Sequence, residues 1–334
     1  MAACWPSKPP AIMMSPRYFD YLPVGLFAGV MGLCGLSIAW KMAAAVYGAP
    51  SWIAVATAVV AAAAFILLAI AYLAKASSAP DAVRAEFQHP LAGNLFGTIP
   101  ISLLLLPMLL PSEALWVARA LWAFGAAGML GFAWLIVRRW MTVRQHVEHA
   151  TPAWIVPVVG VLDVPLAVPH LGLPQSHGLM VACLAVGLFF AIPLFTMIFS
   201  RLLFEEPMAP ASQSSLLILV APFAVGLSAY VAVTGRVDLF AEGLYGLMLF
   251  ILTILLERLR YLPQCCPFRV AWWAVSFPLA ACAGASITFA QARPGVLQDV
   301  IAVATLGLAS VVIAGLLVRT VVGILRGEMR QLSG

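Results

Sequence analysis

The sequence predicts an all-α polytopic membrane protein of ten spanning helices, from three observations: composition, the spacing of apolar runs and the placement of basic residues. Of the 334 residues, 63% are hydrophobic and 9% charged, with a mean hydropathy of +1.03, whereas soluble domains carry roughly 25% charged residues. A soluble enzyme is excluded. At roughly 20 apolar residues per spanning helix, this composition supplies about ten spans and leaves little chain for a soluble domain or long loops. The net charge of +5 does not point to nucleic acid, because the 18 basic residues are scattered between hydrophobic runs and no nucleic-acid motif accompanies them. The lipid bilayer is the expected surrounding phase.

Apolar runs punctuated by Pro, Gly and charge place the spans, in order, at 22–47, 51–76, 89–110, 113–138, 152–171, 177–204, 211–234, 238–260, 268–291 and 296–326. Residues 1–21 carry Pro6, Pro9, Pro10, Pro16, Lys8 and Arg17 but no apolar core, which reads as a short polar tail rather than a cleaved signal peptide. Residues 22–326 form one ten-helix unit, and 327–334 a second short tail. The connections after odd-numbered spans are short and almost uncharged; those after even-numbered spans are longer and basic. Lys8, Arg17, Lys75, Arg84, Arg138, Arg139, Arg144, Arg201, Arg258, Arg260, Arg269, Arg319, Arg326 and Arg330 fall on the side of the termini. Only Lys41, Arg119, Arg236 and Arg293 fall on the other. The positive-inside rule then makes both termini cytoplasmic.

Prolines divide the spans into two kinds. Pro23, Pro90, Pro100, Pro107, Pro157, Pro165, Pro169, Pro222 and Pro278 sit on odd-numbered spans, and Pro193 alone lies inside an even one. Proline removes a backbone donor and bends a helix, and in hydrocarbon the freed carbonyls are tolerated where they face protein or a water-filled cavity. The odd spans are therefore expected to form an inner set. The second span, without Gly or Pro and rich in Ala, Val, Ile and Leu, reads as a lipid-facing strut. The chain becomes five hairpins, each pairing a kinked inner helix with a straighter outer one.

Ionisable groups inside a membrane are the default functional candidates, and Asp163, within VVGVLDVPLAVP, is the one placed near mid-depth. Two readings stand: an ion or proton site, or a carboxylate bonded to backbone freed near Pro165 or exposed at the outer mouth. Lys41 and Arg119 lie near outer span ends, where long side chains snorkel. His89, His170 and His177 also mark span ends. His146 and His149 could share a helical face, but nothing completes a metal set, and no HExxH, GxSxG, phosphate-loop or dinucleotide pattern occurs. No cofactor and no catalytic residue is expected. Cys4, Cys34, Cys183, Cys265, Cys266 and Cys282 form no CxxC pair and read as packing residues. Gly25, Gly29, Gly32, Gly93, Gly97, Gly160 and Gly226 either leave room for a central passage or pack helices closely. Asn94, Thr98 and Ser228 are its candidate polar contacts, with Pro222 on the same inner set.

The segments GLCGLSIAW (32–40), VRAEFQHPLAGNLFGTIPI (83–101), VAPFAVGLSAY (220–230), WWAVSFPLA (272–280) and PGVLQ (294–298) occur in an order spread over nearly the whole chain. In these the sequence resembles the bacterial TehA tellurite-resistance proteins and, more distantly, plant slow anion channels (SLAC) and fungal C4-dicarboxylate transporters. The resemblance implies a homotrimer in which each protomer holds its own pore inside a quasi-fivefold ring of five hairpins, occluded by a phenylalanine from the ninth helix. Phe277 matches that gate, whereas the residues alone read it as an aromatic core position. Phe27 lies on the matching stretch of the first helix and is a second pore-lining candidate, and Pro278 follows the gate. The family's Gly is replaced by Pro278, and its first-helix proline by Val30, with Pro23 a turn or more earlier. The implied partners are small anions (chloride, nitrate, and malate or tellurite), and the implied location is a plasma membrane, the inner membrane of a bacterium. Proton-coupled malate carriage or efflux of tellurite is the alternative to a channel.

Overall fold

The computed structural model describes residues 19–261 and 268–333, so that Cys4, Cys265, Cys266 and most of the expected N-terminal tail lie outside the described residues. Among the described residues, ten helices are long and apolar enough to cross a membrane. They are span 1 (Val24–Tyr47), span 2 (Ser51–Ser78), span 3 (Ala92–Leu109), span 4 (Ser112–Thr142), span 5 (Pro152–Leu171), span 6 (Pro174–Phe204), span 7 (Ser212–Thr234), span 8 (Leu239–Arg258), span 9 (Val270–Ala292) and span 10 (Val296–Leu325). Ends fall within a few residues of the expected ones.

Odd and even spans differ in backbone as well as in proline content. Span 5 alternates between 3-10 turns at Pro152–Ile155 and Gly160–Asp163 and α-helix at Val156–Val159 and Val164–Leu171. Span 7 continues a 3-10 segment, Pro210–Val220, into an α-helix at Ala221–Thr234, and span 9 runs 3-10 over Val270–Val275 before turning α at Ser276–Ala292. Pro157, Pro165 and Pro222 occupy the first turn of their α segments, where a missing N–H costs least. At these three prolines the expected kink is realised as a change of helix type, whereas Pro169 lies inside the α segment Val164–Leu171. Even spans are long α-helices, with Pro193 inside span 6.

Burial separates the same two sets: over an apolar 18-residue stretch of each, 56 to 78% of residues are buried in the odd spans, against 11 to 33% in the even ones. Contacts between elements show why. Span 1 packs on spans 3 and 9, span 3 on span 5, span 5 on span 7 and span 7 on span 9, which closes the odd spans into a ring. Each even span packs on the odd span before it and also touches the next odd neighbour around the ring. The outer surface of span 2 carries Trp52, Val59, Ile66, Leu67, Ile70 and Leu73, all exposed, as lipid contact requires. Cys34, Cys183 and Cys282 are buried with free thiols.

The tightest seam joins spans 1 and 9. A Cβ on Gly32 would lie 2.1 Å from Ser276 Oγ, one on Gly29 3.1 Å from the Trp273 ring, and one on Gly35 2.9 Å from Ala280 Cβ. Of the glycines that either leave room for a passage or pack helices closely, Gly29, Gly32, Gly97 and Gly226 do the second, meeting Trp273, Ser276, Phe132 and Leu188. The first and last described segments meet on one face, here the terminal face, where Arg330 pairs with Asp20 at 3.1 Å. On the opposite face Asp238 caps span 8 by accepting hydrogen bonds from Phe240 N and Ala241 N, and the Tyr230 hydroxyl donates to it at 2.6 Å.

Two outcomes follow from these contacts. Gly32→Ala should lower the apparent melting temperature in detergent, since overpacking costs about 1–3 kcal/mol; Gly307→Ala, where a Cβ meets nothing within 4 Å, should not. The Tyr230 hydrogen bond, aided by the two cap amides, holds the Asp238 carboxyl below the usual carboxylate range. Its contribution to stability is thus present at neutral pH and lost as pH falls through that depressed value. Melting followed from neutral to acid pH should show a step that Asp238→Asn removes.

Candidate functional site

Inside the ring of odd spans three cavities lie in file, each lined from all five of them. The first, toward the face opposite the termini, has a volume of about 590 Å³ and includes Lys41, His170, Ser228 and Phe277 in its wall. The second is a constriction of about 60 Å³. The third, toward the terminal face, has about 210 Å³. Phe277 and Val225 border both the first and the second cavity. Ala28, Leu95, Ile218 and Ala274 border both the second and the third. The three are thus successive chambers of one axial passage.

Phe277 enters this passage because of how span 9 is held. It is the second residue of the α segment that follows the 3-10 turns. Ser276, its neighbour, donates from Oγ to Ala28 O at 3.1 Å and to Trp273 O at 2.7 Å. Trp273 Nε1 in turn donates to Thr320 Oγ1 of span 10 at 3.0 Å. Gly35 of span 1 lies beside the Phe277 ring: a Cβ there would stand 3.4 Å from the ring carbon Cδ2. The aromatic ring is therefore buried between two chambers, on a helix anchored on both sides.

The other sequence candidates divide. Thr98, Asp163 and Pro278 border the constriction. Thr98 Oγ1 donates to Leu95 O at 2.6 Å, whereas Asp163, buried at 2% exposure, has an oxygen with no hydrogen-bond partner. Against the second reading of that carboxylate, bonding to freed backbone near Pro165 accounts for no contact of Oδ1, and exposure at an outer mouth does not occur. Phe27, Asn94 and Pro222 border none of the three chambers. Phe27 points outward instead, edge-on to Phe65 at 5.9 Å and Tyr72 at 6.2 Å. Asn94 donates from Nδ2 to Pro90 O at 2.7 Å, and Pro222 is buried within the first turn of its helix.

The residues that sequence reasoning passed over are at the third chamber. Glu86, which borders it, pairs with Lys75 at 2.7 Å. It also accepts from Tyr72 OH at 2.9 Å and Val24 N at 2.6 Å. Lys75 Nζ further donates to Leu22 O at 2.6 Å. The cluster joins span 2, the short helix Pro80–Gln88 and the start of span 1. No spacing rule links Lys75 to Glu86, because they sit on separate helices and meet only where Ala79 turns the chain. Arg269, Thr151 and three serines, Ser212, Ser214 and Ser215, add polarity to the same chamber. On the opposite face Lys41 Nζ donates to Met108 O at 3.2 Å, and Arg119 Nε donates to Leu171 O at 3.0 Å, so both end-of-span cations hold backbone. Among the described residues no group of three or more His, Cys, Asp and Glu gathers as a metal would need.

The odd spans thus enclose a narrow, mostly apolar passage. Residues 21–321 match the family model described as voltage-dependent anion channel. The chain belongs to that family. It is 26% identical to the S-type anion channel SLAH3 of Arabidopsis thaliana over 312 residues, 90% of this chain and 48% of the relative. The same identity holds with SLAH2 of that plant, over 76% of this chain and 49% of the relative. It is 27% identical to a tellurite resistance protein TehA homolog of Haemophilus influenzae, over 80% of this chain and 81% of that protein. The chain thus spans about half the length of the plant relatives. Family membership agrees with the resemblance read from the segments, and the family is one of channels and transporters rather than enzymes.

The buried ion pair allows a direct check. Glu86→Gln leaves Lys75, 3% exposed, without its counter-charge, and breaking one side of a buried pair costs about 3–5 kcal/mol. The variant should lose most of its monodisperse peak after mild heating, measured by size exclusion in detergent. Lys75→Met with Glu86→Gln should recover part of it.

Proposed function

We propose that each protomer is an anion channel in which small anions such as chloride and nitrate cross the axial passage and the Phe277 ring is the gate. The observation that carries this reading is the position of Phe277, on the wall shared by a 590 Å³ chamber and a 60 Å³ constriction. A side chain that swings there changes the narrowest part of the path. The walls of the constriction carry no Lys, Arg or His. Conduction needs binding weak enough to release the ion, and an anion there is held only by small dipoles and by the positive potential of the mouths. Selection then follows the cost of stripping water from the ion.

On this reading both termini are cytoplasmic, the residues of 1–21 and 327–334 are tails on that side, and the membrane is a plasma membrane, in a bacterium the inner one. The protomers assemble as a homotrimer, each with its own passage. The excess of Lys and Arg on the terminal face supports the orientation. A second reading, proton-coupled carriage of malate or efflux of tellurite, is favoured by the size of the first chamber. It exceeds what a monatomic anion needs and has Lys41 in its wall.

Phe277→Ala should raise chloride and nitrate flux into proteoliposomes sharply at equal protein, since a hydrophobic constriction gates by excluding the hydrated ion. An unchanged flux would sink the gate. Malate uptake by the unaltered protein that saturates and collapses with the pH gradient would favour the carrier instead.

A further inference from the structure

The constriction contains one ionisable side chain, and the gate reading leaves it unused. Asp163 closes the 3-10 turn Gly160–Asp163 of span 5, and the α-helix of that span begins at the next residue. The junction aims its side chain into the same 60 Å³ space that Phe277, Thr98 and Pro278 border. That space is worth about two waters at roughly 30 Å³ each. The carboxyl is buried, and one oxygen has no hydrogen-bond partner. A buried carboxylate in a purely structural role is paired or saturated with donors; this one is neither.

Among the described residues no cation is positioned to neutralise it. Span 5 packs against spans 3, 4, 6 and 7 at this level. From span 4, Arg119 is held by Leu171 O and Arg139 by Phe87 O and Gln88 O, at opposite ends of the helix. Span 6 has His177 near its start and Arg201 and the Cys183 thiol further along, and span 7 has Tyr230, which is bonded to Asp238. None of these borders the constriction. The α-helical part of span 3, Thr98–Leu105, has no ionisable side chain. The charge state of Asp163 therefore acts on an ion in the constriction without local compensation.

We propose that Asp163 is a proton-operated valve on the anion path: ionised, it bars anions from the constriction by repulsion, and protonated, it admits them and offers its O–H to the passing ion. The inference rests on the anion-channel reading and adds its regulation. Binding and release of one proton by the carboxyl oxygen, exchanged with water in the chambers, is the only chemistry required. A gate with two elements results: a steric one at Phe277 and an electrostatic one beside it.

The test uses the full-length protein in proteoliposomes, with chloride and nitrate flux measured at equal pH on both sides. In the Phe277→Ala background, where the steric gate is open, flux should rise about tenfold or more between about pH 8 and about pH 5, as relief of repulsion by a nearby like charge predicts. Adding Asp163→Asn should make flux high and flat across that range, and Asp163→Glu should restore a pH dependence. A flat profile in Phe277→Ala overturns the valve while leaving the channel intact, and needs no folded Asn variant. A pH profile that survives Asp163→Asn also overturns it. Absence of anion flux from every variant at every pH would instead remove the channel reading itself, and the valve with it.

Discussion

In hydrocarbon every backbone N–H and C=O must be bonded within the protein, and the rest of this structure follows from how the chain meets that demand while leaving an opening. Long α-helices meet it along most of their length, and five of them, one with Pro193 inside it, form the outer layer. The inner spans depart from regular α-helix, yet their 3-10 turns still bond their own carbonyls, three residues apart rather than four. Each change of helix type re-aims the side chains that follow it. Phe277 and Asp163 both lie within two residues of such a junction. The prolines that mark the junctions in spans 5 and 7 are thus tied to the passage through backbone geometry more than through their own rings.

The seam between spans 1 and 9 is the second support. Gly29, Gly32 and Gly35 bring the two backbones close enough for Ser276 to reach Ala28 O. The aim of Phe277 is consequently set by span 1 as much as by span 9. At the terminal face, Lys75 and Glu86 hold the start of span 1 through Leu22 O and Val24 N. A buried ion pair is a poor source of net stability, but this one ties three segments at the entrance of the passage, and its hydrogen bonds are directional.

Much of this was legible in the sequence. The count and order of spans, their ends to within a few residues, and the division into inner and outer sets came from apolar runs and proline positions, since both reflect local backbone physics. The residues expected to line a passage divide in the structure. Thr98, Asp163 and Pro278 face the constriction, but Phe27, Asn94 and Pro222 do not, although all six lie on inner spans. Phe27 illustrates the difficulty. On a helix apolar all round, nothing in the periodicity says which way a ring turns, and the pocket formed by Phe65 and Tyr72 on span 2 decided it. Most of the glycines were ambiguous for the same reason: absence of a side chain serves a cavity and a close contact equally.

By itself, then, the sequence determined that this chain is a ten-span membrane protein with proline-rich inner helices. Hydrophobic length and backbone chemistry are local properties that no partner helix can alter. Only the tertiary structure decided which side chains meet on the axis, that Asp163 stands there unpaired, and that Lys75 finds Glu86. Those outcomes depend on the rotation and depth of whole helices. Rotation and depth are set by contacts between residues far apart in the chain, such as Gly32 with Ser276.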